Sequence, residues 1–282
     1  MQWVIEPLQY GFMRQALVAG LLVGATCSLL GVYVVLRRLA FLGDAVAHTT
    51  LPGIVIAYLN QWNLFLGALA AALVTALGIG CLSHRERLRE DTAIGVLFSG
   101  MFALGIVLIS RTRSYRDFSH ILFGNILGVS TGDLVGILLV GLTVVGTLWA
   151  FHKELVLTSV DPLHAQVIGL SADKIRYLLL ILLAMAVVTA IQAVGVVLTT
   201  ALLVTPAATA SLLTKRLQRM FALAVLFSTM GTTAGLYASF YLGVSSGGAI
   251  VLACTLLFGI VFVTRSLVRY PSFLILLPRP IR

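Results

Sequence analysis

The chain is built mainly from long apolar segments that are separated by short polar stretches. A helix needs about 20 residues to cross a bilayer, whereas a strand of a transmembrane barrel needs only about 10 and alternates in polarity. The 282 residues are 60% hydrophobic and 10% charged, compared with about 25% charged in a typical soluble domain. The sequence therefore predicts an all-α, polytopic membrane protein and excludes a barrel.

Nine apolar segments are candidate membrane spans, and we expect eight or nine to cross within one transmembrane domain covering residues 1–282. Ala201–Leu213 is short for a crossing and is expected to be a half-helix or a re-entrant piece. His120–Val129 is shorter and is expected to form an external surface or re-entrant helix. The nine candidates are Tyr10–Leu36, Leu39–Leu59, Leu64–Ser83, Thr92–Ser110, Asp133–Phe151, Arg176–Thr200, Ala201–Leu213, Met220–Leu242 and Gly247–Ser266.

Basic residues cluster at the ends of the apolar segments, and the formal net charge is +9. Positive loops face the cytoplasm in membrane proteins, so Arg37 and Arg38 indicate an external N-terminus and a cytoplasmic C-terminus. Arg111, Arg113 and Arg116 are the exception, because alternation places them outside. The charge does not indicate nucleic-acid binding, since no basic domain lies outside the apolar segments.

Two ionisable residues, Asp44 and His48, lie inside the second apolar segment. Each ionisable group costs about 2.5–3.5 kcal/mol at the centre of a membrane helix, so such a group indicates a function at that depth. Residues four apart share one face of a helix. A carboxylate oxygen and an imidazole nitrogen suit manganese, iron or zinc. The sequence therefore predicts Asp44 and His48 as metal ligands, with Pro52 opening the helix beside them.

A second apolar region, Gln192–Thr209, is also interrupted by glycine and proline. Interrupted segments in both halves of a transporter indicate a central pathway, so Gln192, Thr205 and Pro206 are candidate pathway residues. Small residues also serve ordinary helix packing in membranes, and that alternative stays open. His120 is a secondary candidate metal ligand beyond the fourth span.

The polar stretch Asp161–Ser171 has the pattern of a short amphipathic helix. Asp161 is a suitable N-cap, Pro162 suits the first turn and Gly169 suits the end of the helix. Such a helix between two spans could dock into a groove on a partner. The alternative is a helix that lies on the membrane surface.

Motifs for several enzyme classes are absent from the sequence. There is no GxxxxGK[ST] phosphate-binding loop and no HExxH, so ATP hydrolysis by that loop and the usual zinc-protease mechanism are excluded. Three widely spaced cysteines are expected to be small core residues. We therefore expect a transport protein rather than an enzyme, with no permanently bound cofactor.

Four stretches in order along the chain, LGDAVAHTTLPG, LFGNILGVS, DPLHAQVIGLS and AVGVVLTTALLVTPAATA, resemble the manganese/zinc/iron permease family of ATP-binding-cassette (ABC) importers. The resemblance implies a fold similar to the vitamin-B12 and siderophore permeases, a permease homodimer in a bacterial inner membrane, two copies of a separate ATPase and an extracytoplasmic metal-binding protein. It also implies metal contacts at Asp44 and His48 and a coupling helix at Asp161–Ser171, including His164 and Ala165.

The function expected from these features is uptake of a divalent transition metal by alternating access, driven by the separate ATPase. Manganese is the first choice of metal, followed by zinc or iron. The ligand types alone do not separate these metals. The alternative is a proton-coupled secondary carrier in which Asp44 and His48 relay protons without an ATPase partner.

Overall fold

A computed structural model describes residues 5–83, 88–110 and 126–269. Twelve α-helices account for most of these residues, and none of the described residues forms a strand. The helices are α1 (Gly11–Leu36), α2 (Leu42–Thr49), α3 (Leu51–Leu59), α4 (Leu64–Leu82), α5 (Glu90–Ser110), α6 (Thr131–Ala150), α7 (His152–Val160), α8 (Pro162–Val167), α9 (Ala172–Val194), α10 (Val196–Leu213), α11 (Leu217–Leu242) and α12 (Ser246–Arg269).

Nine helical segments within the described ranges are long and apolar enough to cross a membrane. Helices α2 and α3 together make one of these segments, Leu42–Leu59, while α7 and α8 are too short to do so. The expectation of an all-α, polytopic membrane protein is confirmed, and of the two predicted counts the structure supports nine.

The structure corrects the prediction for the region 176–213. The sequence placed a break between Thr200 and Ala201, but α9 ends at Val194 and the chain turns at Gly195. Gly195 has φ 85° and ψ 168°, a backbone conformation that is essentially restricted to glycine. Because the break comes earlier, Ala201–Leu213 is the second part of an 18-residue helix rather than a half-helix.

A tight turn connects α1 to α2, so the second span begins three residues later than predicted. Arg38 has a positive φ of 61°, and the amide of Leu39 donates a hydrogen bond to the carbonyl of Val34 over 2.9 Å. This turn closes α1 as a positive-φ residue commonly closes a helix. As a result, Asp44 lies in the first turn of α2.

The interior of the protein is formed by α1, α9, α10 and the α2–α3 segment, whereas α6 and α12 lie at its margin. Close backbone contacts fix two of the pairs. A Cβ atom on Gly31 of α1 would overlap the carbonyl of Leu203 in α10, and one on Gly53 of α3 would overlap the carbonyl of Gly67 in α4. Such small-residue contacts let membrane helices approach closely, so they hold α1 against α10 and α3 against α4.

The predicted short helix at His120–Val129 lies partly outside the described residues. Its described part contains a single 3-10 turn, Ile126–Gly128. His120 itself, and the three arginines that break the positive-inside pattern, lie outside the described ranges.

Candidate metal site and its surroundings

Asp44 and His48 lie on the same face of α2, as their spacing predicted. The Nε2 atom of His48 is 3.6 Å from Oδ1 of Asp44, which is too long for a hydrogen bond. Metal bonds to such atoms are about 2.0–2.2 Å long, so one ion could contact both across this gap. The pair is therefore spaced to hold a metal ion between the two side chains without a change of helix geometry.

Two phenylalanines of α5 fix the imidazole ring of His48. The ring centroids of Phe98 and Phe102 are 5.9 and 5.5 Å from that of His48, and both contacts are edge-on. The Nδ1 atom of His48 is buried without a hydrogen-bond partner among the described residues. Packing on α5 thus leaves Nε2, on the Asp44 side of the ring, as the nitrogen available to a ligand.

Asp44 opens onto a cleft of about 510 Å³ between α2 and α5. Its side chain is 48% exposed and that of His48 is 30% exposed. Arg38, in the turn before α2, and Asp91, in the first turn of α5, also line this cleft. The pair is therefore accessible from one end of the bundle rather than sealed inside it.

The position of Asp44 in the structure changes the free-energy cost of its charge in the membrane. The cost of about 2.5–3.5 kcal/mol applies to a charge at the centre of a membrane helix. Asp44 instead lies in the first turn of α2, where the helix dipole stabilises a carboxylate, and it borders an open cleft. The cost of its charge is accordingly lower, while His48 remains closer to the middle of the segment.

The helix break beyond His48 occurs at Thr50, between α2 and α3. Pro52 lies at the start of α3 and has no amide hydrogen to donate to the carbonyl of His48, four residues earlier. The hydroxyls of Thr49 and Thr50 donate to the carbonyls of Val46 and Ala47, and so satisfy two other backbone acceptors at the break. The predicted interruption at Pro52 is present, and it lies next to the candidate ligand.

Asp91, Phe98 and Phe102 were missed by the sequence reasoning, although a signal for them exists. Positions 91, 95, 98 and 102 are spaced by four, three and four residues, which places them on one face of a helix. The sequence analysis left Asp91 outside the fourth span, because that span was expected to begin at Thr92. In the structure α5 begins at Glu90, so Asp91 belongs to the helix that borders the cleft.

The candidate pathway residues of the second interrupted region do not line the cleft at Asp44. Gln192 is exposed near the end of α9, Thr205 is half-buried and Pro206 is buried inside α10. Helix α10 does pack against α2. A pathway role for these residues stays a prediction, and the described lining of the cleft includes none of them.

The described residues contain no group of three or more His, Cys, Asp or Glu side chains arranged to hold a metal. Within the ranges 5–83, 88–110 and 126–269, the candidate site is thus limited to the pair Asp44 and His48, which would offer two protein ligands per chain. An ion held by two ligands keeps open positions that can be exchanged.

The predicted loop helix is present as α8, and its ends match the sequence signals. The carboxylate of Asp161 accepts a hydrogen bond of 2.9 Å from the amide of His164, Pro162 lies in the first turn, and Gly169 ends the turn with φ 84°. Ala165 is fully buried and therefore seats the helix against the protein. The exposed apolar side chains, which the sequence reasoning did not single out, are Leu163, Val167 and Ile168.

A family profile described as the ABC 3 transport family matches residues 9–265. The chain belongs to this family. Among its ABC 3 relatives, a manganese transport system membrane protein, MntC, of Halalkalibacterium halodurans is 46% identical over 258 residues, which are 91% of this chain and 88% of the relative. The chelated iron transport system membrane protein YfeD of Yersinia pestis is 39% identical over 256 residues, 90% of this chain and 86% of that protein.

A solved structure of PsaBC from Streptococcus pneumoniae in complex with a Fab is similar to this ABC 3 protein over most of its length. The two share 35% identity with a TM-score of 0.81, and the match covers 93% of this chain and 94% of the other. The resemblance to metal-type ABC permeases is thereby confirmed at the level of family and fold.

Proposed function

We propose that this chain is the membrane-spanning permease subunit of an ABC importer for a divalent transition metal. Manganese is the first choice, because relatives that share about nine-tenths of the chain are named as manganese transport proteins. Iron remains a candidate through the relative named for chelated iron, and zinc through the ligand types. We place the protein in the inner membrane of a bacterium.

The proposal depends chiefly on one observation, the pairing of Asp44 with His48 beside an accessible cleft in an interrupted span. The 3.6 Å between Oδ1 and Nε2 suits a shared ion, and the two phenylalanines hold the ring in place. A helix surface that only faces lipid would not carry this arrangement, because the arrangement leaves a polar pair half-exposed at a helix break.

In this proposal the ion binds only transiently to Asp44 and His48. Conduction requires binding that is strong enough to admit the ion and weak enough to release it. A second copy of the chain, related by a two-fold axis, would bring a second such pair, so the homodimer could offer four ligands in one state and two in another. Alternating access then follows from moving the two pairs relative to each other.

ATP hydrolysis takes place on a separate subunit, of which two copies bind the permease dimer. Helix α8 is the docking element, because Leu163, Val167 and Ile168 expose apolar side chains while Ala165 anchors the helix. A metal-loaded extracytoplasmic protein delivers the ion to the opposite side. The chain itself is a transport subunit and not an enzyme.

The experiment that tests this function is metal uptake into proteoliposomes that contain the chain with its ATPase and binding protein. We expect uptake of manganese with the intact ATPase and none with a hydrolysis-deficient ATPase. Uptake by the chain alone, driven by a proton gradient, would establish the secondary-carrier alternative and overturn the proposal. Competition by zinc and iron in the same assay ranks the metals.

The docking role of α8 has its own test at Gly169. This glycine has a positive φ and open space around it, so replacement by leucine strains the backbone without a side-chain clash. We expect Gly169→Leu to weaken ATPase binding or to uncouple hydrolysis from uptake. Gly146→Leu on α6, where a side chain also meets open space, is the matched control. Normal coupling in both variants would remove α8 from the proposal.

A further inference from the structure

Helix α7 is a short arm that connects the α6 segment to the docking helix α8. It begins at His152 after a break at Phe151 and ends at Val160, and the next residue, Asp161, caps α8. Any displacement of α8 by a partner must therefore pass through α7 or directly into α9. The contacts that α7 makes with the rest of the protein decide where such a displacement goes.

The first end of the arm is fixed to α1 by a partly buried hydrogen bond. The hydroxyl of Tyr33 lies 2.9 Å from Nδ1 of His152, and Tyr33 is only 1% exposed. Phe221 of α11 packs against both rings, with centroid distances of 5.3 Å to Tyr33 and 5.6 Å to His152. This end is held by packing as well as by the hydrogen bond.

The second end of the arm is fixed to α1 by Arg37. Its Nε donates to the hydroxyl of Ser159 and its Nη2 to the hydroxyl of Thr158, each over 3.0 Å. These hydroxyls in turn donate to the carbonyls of Leu155 and Glu154 within α7. Because a hydroxyl has one proton and two lone pairs, both bonds from Arg37 use acceptors that the helix leaves free.

Packing contributes less at this second end. An open cleft of about 730 Å³ lies there, bordered by Arg37, Thr158, Ser159 and Gln166 together with the ends of α4, α5 and α9. Burial lowers the pKa of Arg37 below its ordinary value, while nearby Glu90 opposes that change. The guanidinium therefore bridges a gap that apolar side chains do not fill.

Arg37 is also close in sequence to the metal site. It is the residue that follows α1, and the tight turn at Arg38 leads into α2, where Asp44 lies seven residues after Arg37. Leu42 of α2 is fully buried, and Gly43 packs against Leu203 of α10. A movement of the Arg37 end of α1 is thus passed to Asp44 through a short connection that is anchored by the buried side chains of Leu39 and Leu42.

We propose that Arg37 is a positioning residue that ties the arm α7 to the α1–α2 turn, so that a displacement of α8 changes the position of Asp44. The inference rests on the proposed function, because it concerns how ATP hydrolysis moves the metal site. Without Arg37, the arm α7 is still attached to α1 through His152, but its second end, at Thr158 and Ser159, moves independently of α2. ATP hydrolysis then continues, but the resulting displacement of α8 no longer changes the position of Asp44.

The test is the number of metal ions taken up per ATP hydrolysed by the full reconstituted importer. We expect Arg37→Gln to lower this ratio by about tenfold, as loss of charge-assisted hydrogen bonds would, while ATPase binding and thermal stability stay near the unaltered level. Arg37→Lys restores one donor and should recover part of the ratio. Arg219→Gln removes an exposed charge on α11 and is the matched control.

A second variant tests the same contact from the arm. Thr158→Val with Ser159→Ala removes both acceptors and leaves Arg37 in place, so it should lower the ratio to the same degree and should add nothing to Arg37→Gln. This variant decides the question if Arg37→Gln fails to fold. An unchanged ratio in either folded variant overturns the role of Arg37. Absence of uptake by the unaltered complex would instead overturn the proposed function itself.

Discussion

Two regions of the protein are interrupted by proline and glycine, and they differ in what surrounds the interruption. At the α2–α3 break an acid and an imidazole lie within one turn, half-exposed beside a cleft of about 510 Å³. In the α9–α10 region the glycine is a turn between two spans, and Pro206 is buried in a continuous helix. The two regions are alike in having helix-breaking glycine and proline residues, but their structures differ.

The difference shows that a helix break alone does not make a transport site. Threonine hydroxyls in both regions donate to carbonyls of their own helix, as Thr50 does to Ala47 and Thr209 does to Thr205. Such bonds satisfy the backbone and leave little for a ligand. The first region adds an ionisable pair, Asp44 and His48, whereas the second region contains no ionisable side chain.

The largest effect is expected from the ligands of the first region. Asp44→Asn and His48→Ala should each reduce metal uptake by at least the roughly 10–100-fold that loss of an outer-shell partner costs. Membrane insertion and ATPase binding should persist. Asp133→Asn, which alters a carboxylate in the capping box of α6, is the control. Near-normal uptake in both site variants would remove the basis for distinguishing the two regions.

The next effect concerns the prolines. Pro52→Ala gives the carbonyl of His48 a helical donor and should make α2 and α3 a continuous helix. We expect uptake to slow by about tenfold, equivalent to about 1.4 kcal/mol on the barrier. Pro206→Ala, inside the continuous α10, should leave the rate nearly unchanged. Equal slowing by both substitutions would show that the two breaks serve the same purpose.

A smaller effect is expected at the ring packing around His48. Phe102→Ala removes an edge-on contact of a kind worth about 0.5–1.5 kcal/mol, so the metal concentration for half-maximal uptake should rise about two- to tenfold. Phe258 and Phe262 of α12 form a comparable stacked pair away from the site, which makes Phe262→Ala the control. An effect of equal size in the control would point to general loss of packing.

The smallest effect is expected in the second region. Thr205→Val and Gln192→Ala should each change the uptake rate by less than about twofold, the usual range for substitutions outside special sites. A tenfold loss at either position would restore the sequence-based prediction that both interrupted regions line the pathway. Initial rates at a fixed metal concentration are sufficient for this measurement.

Much of this fold follows from patterns of hydrophobicity. The nine spans are visible because the bilayer requires long apolar helices, and the cap at Asp161 is visible because its chemistry is local. The turn at Gly195 was placed five residues late, since the sequence from 176 to 213 is apolar throughout and glycine conformation depends on tertiary context. The start of α2 was missed for the same reason, because Arg38 adopts a positive φ without being glycine.

The candidate site was predictable only in part. Asp44 and His48 were evident because ionisable residues are rare in apolar segments and their spacing defines a shared face. The packing of α5 against α2 determines three features that could not be predicted. These are the cleft, the position of Asp91 in its lining, and the edge-on contacts of Phe98 and Phe102 with His48. Contacts between helices distant in sequence are not encoded in the spacing of either helix.

The single residue that joins α9 to α10 limits how these two helices can move. With only Gly195 between them, their adjoining ends stay together whatever happens elsewhere. The ends that begin at Ala172 and finish at Leu213 have no such tether, and the first of them lies next to α8. The pair therefore has a fixed pivot at one end, and any widening between the two helices grows towards the end that bears the docking helix.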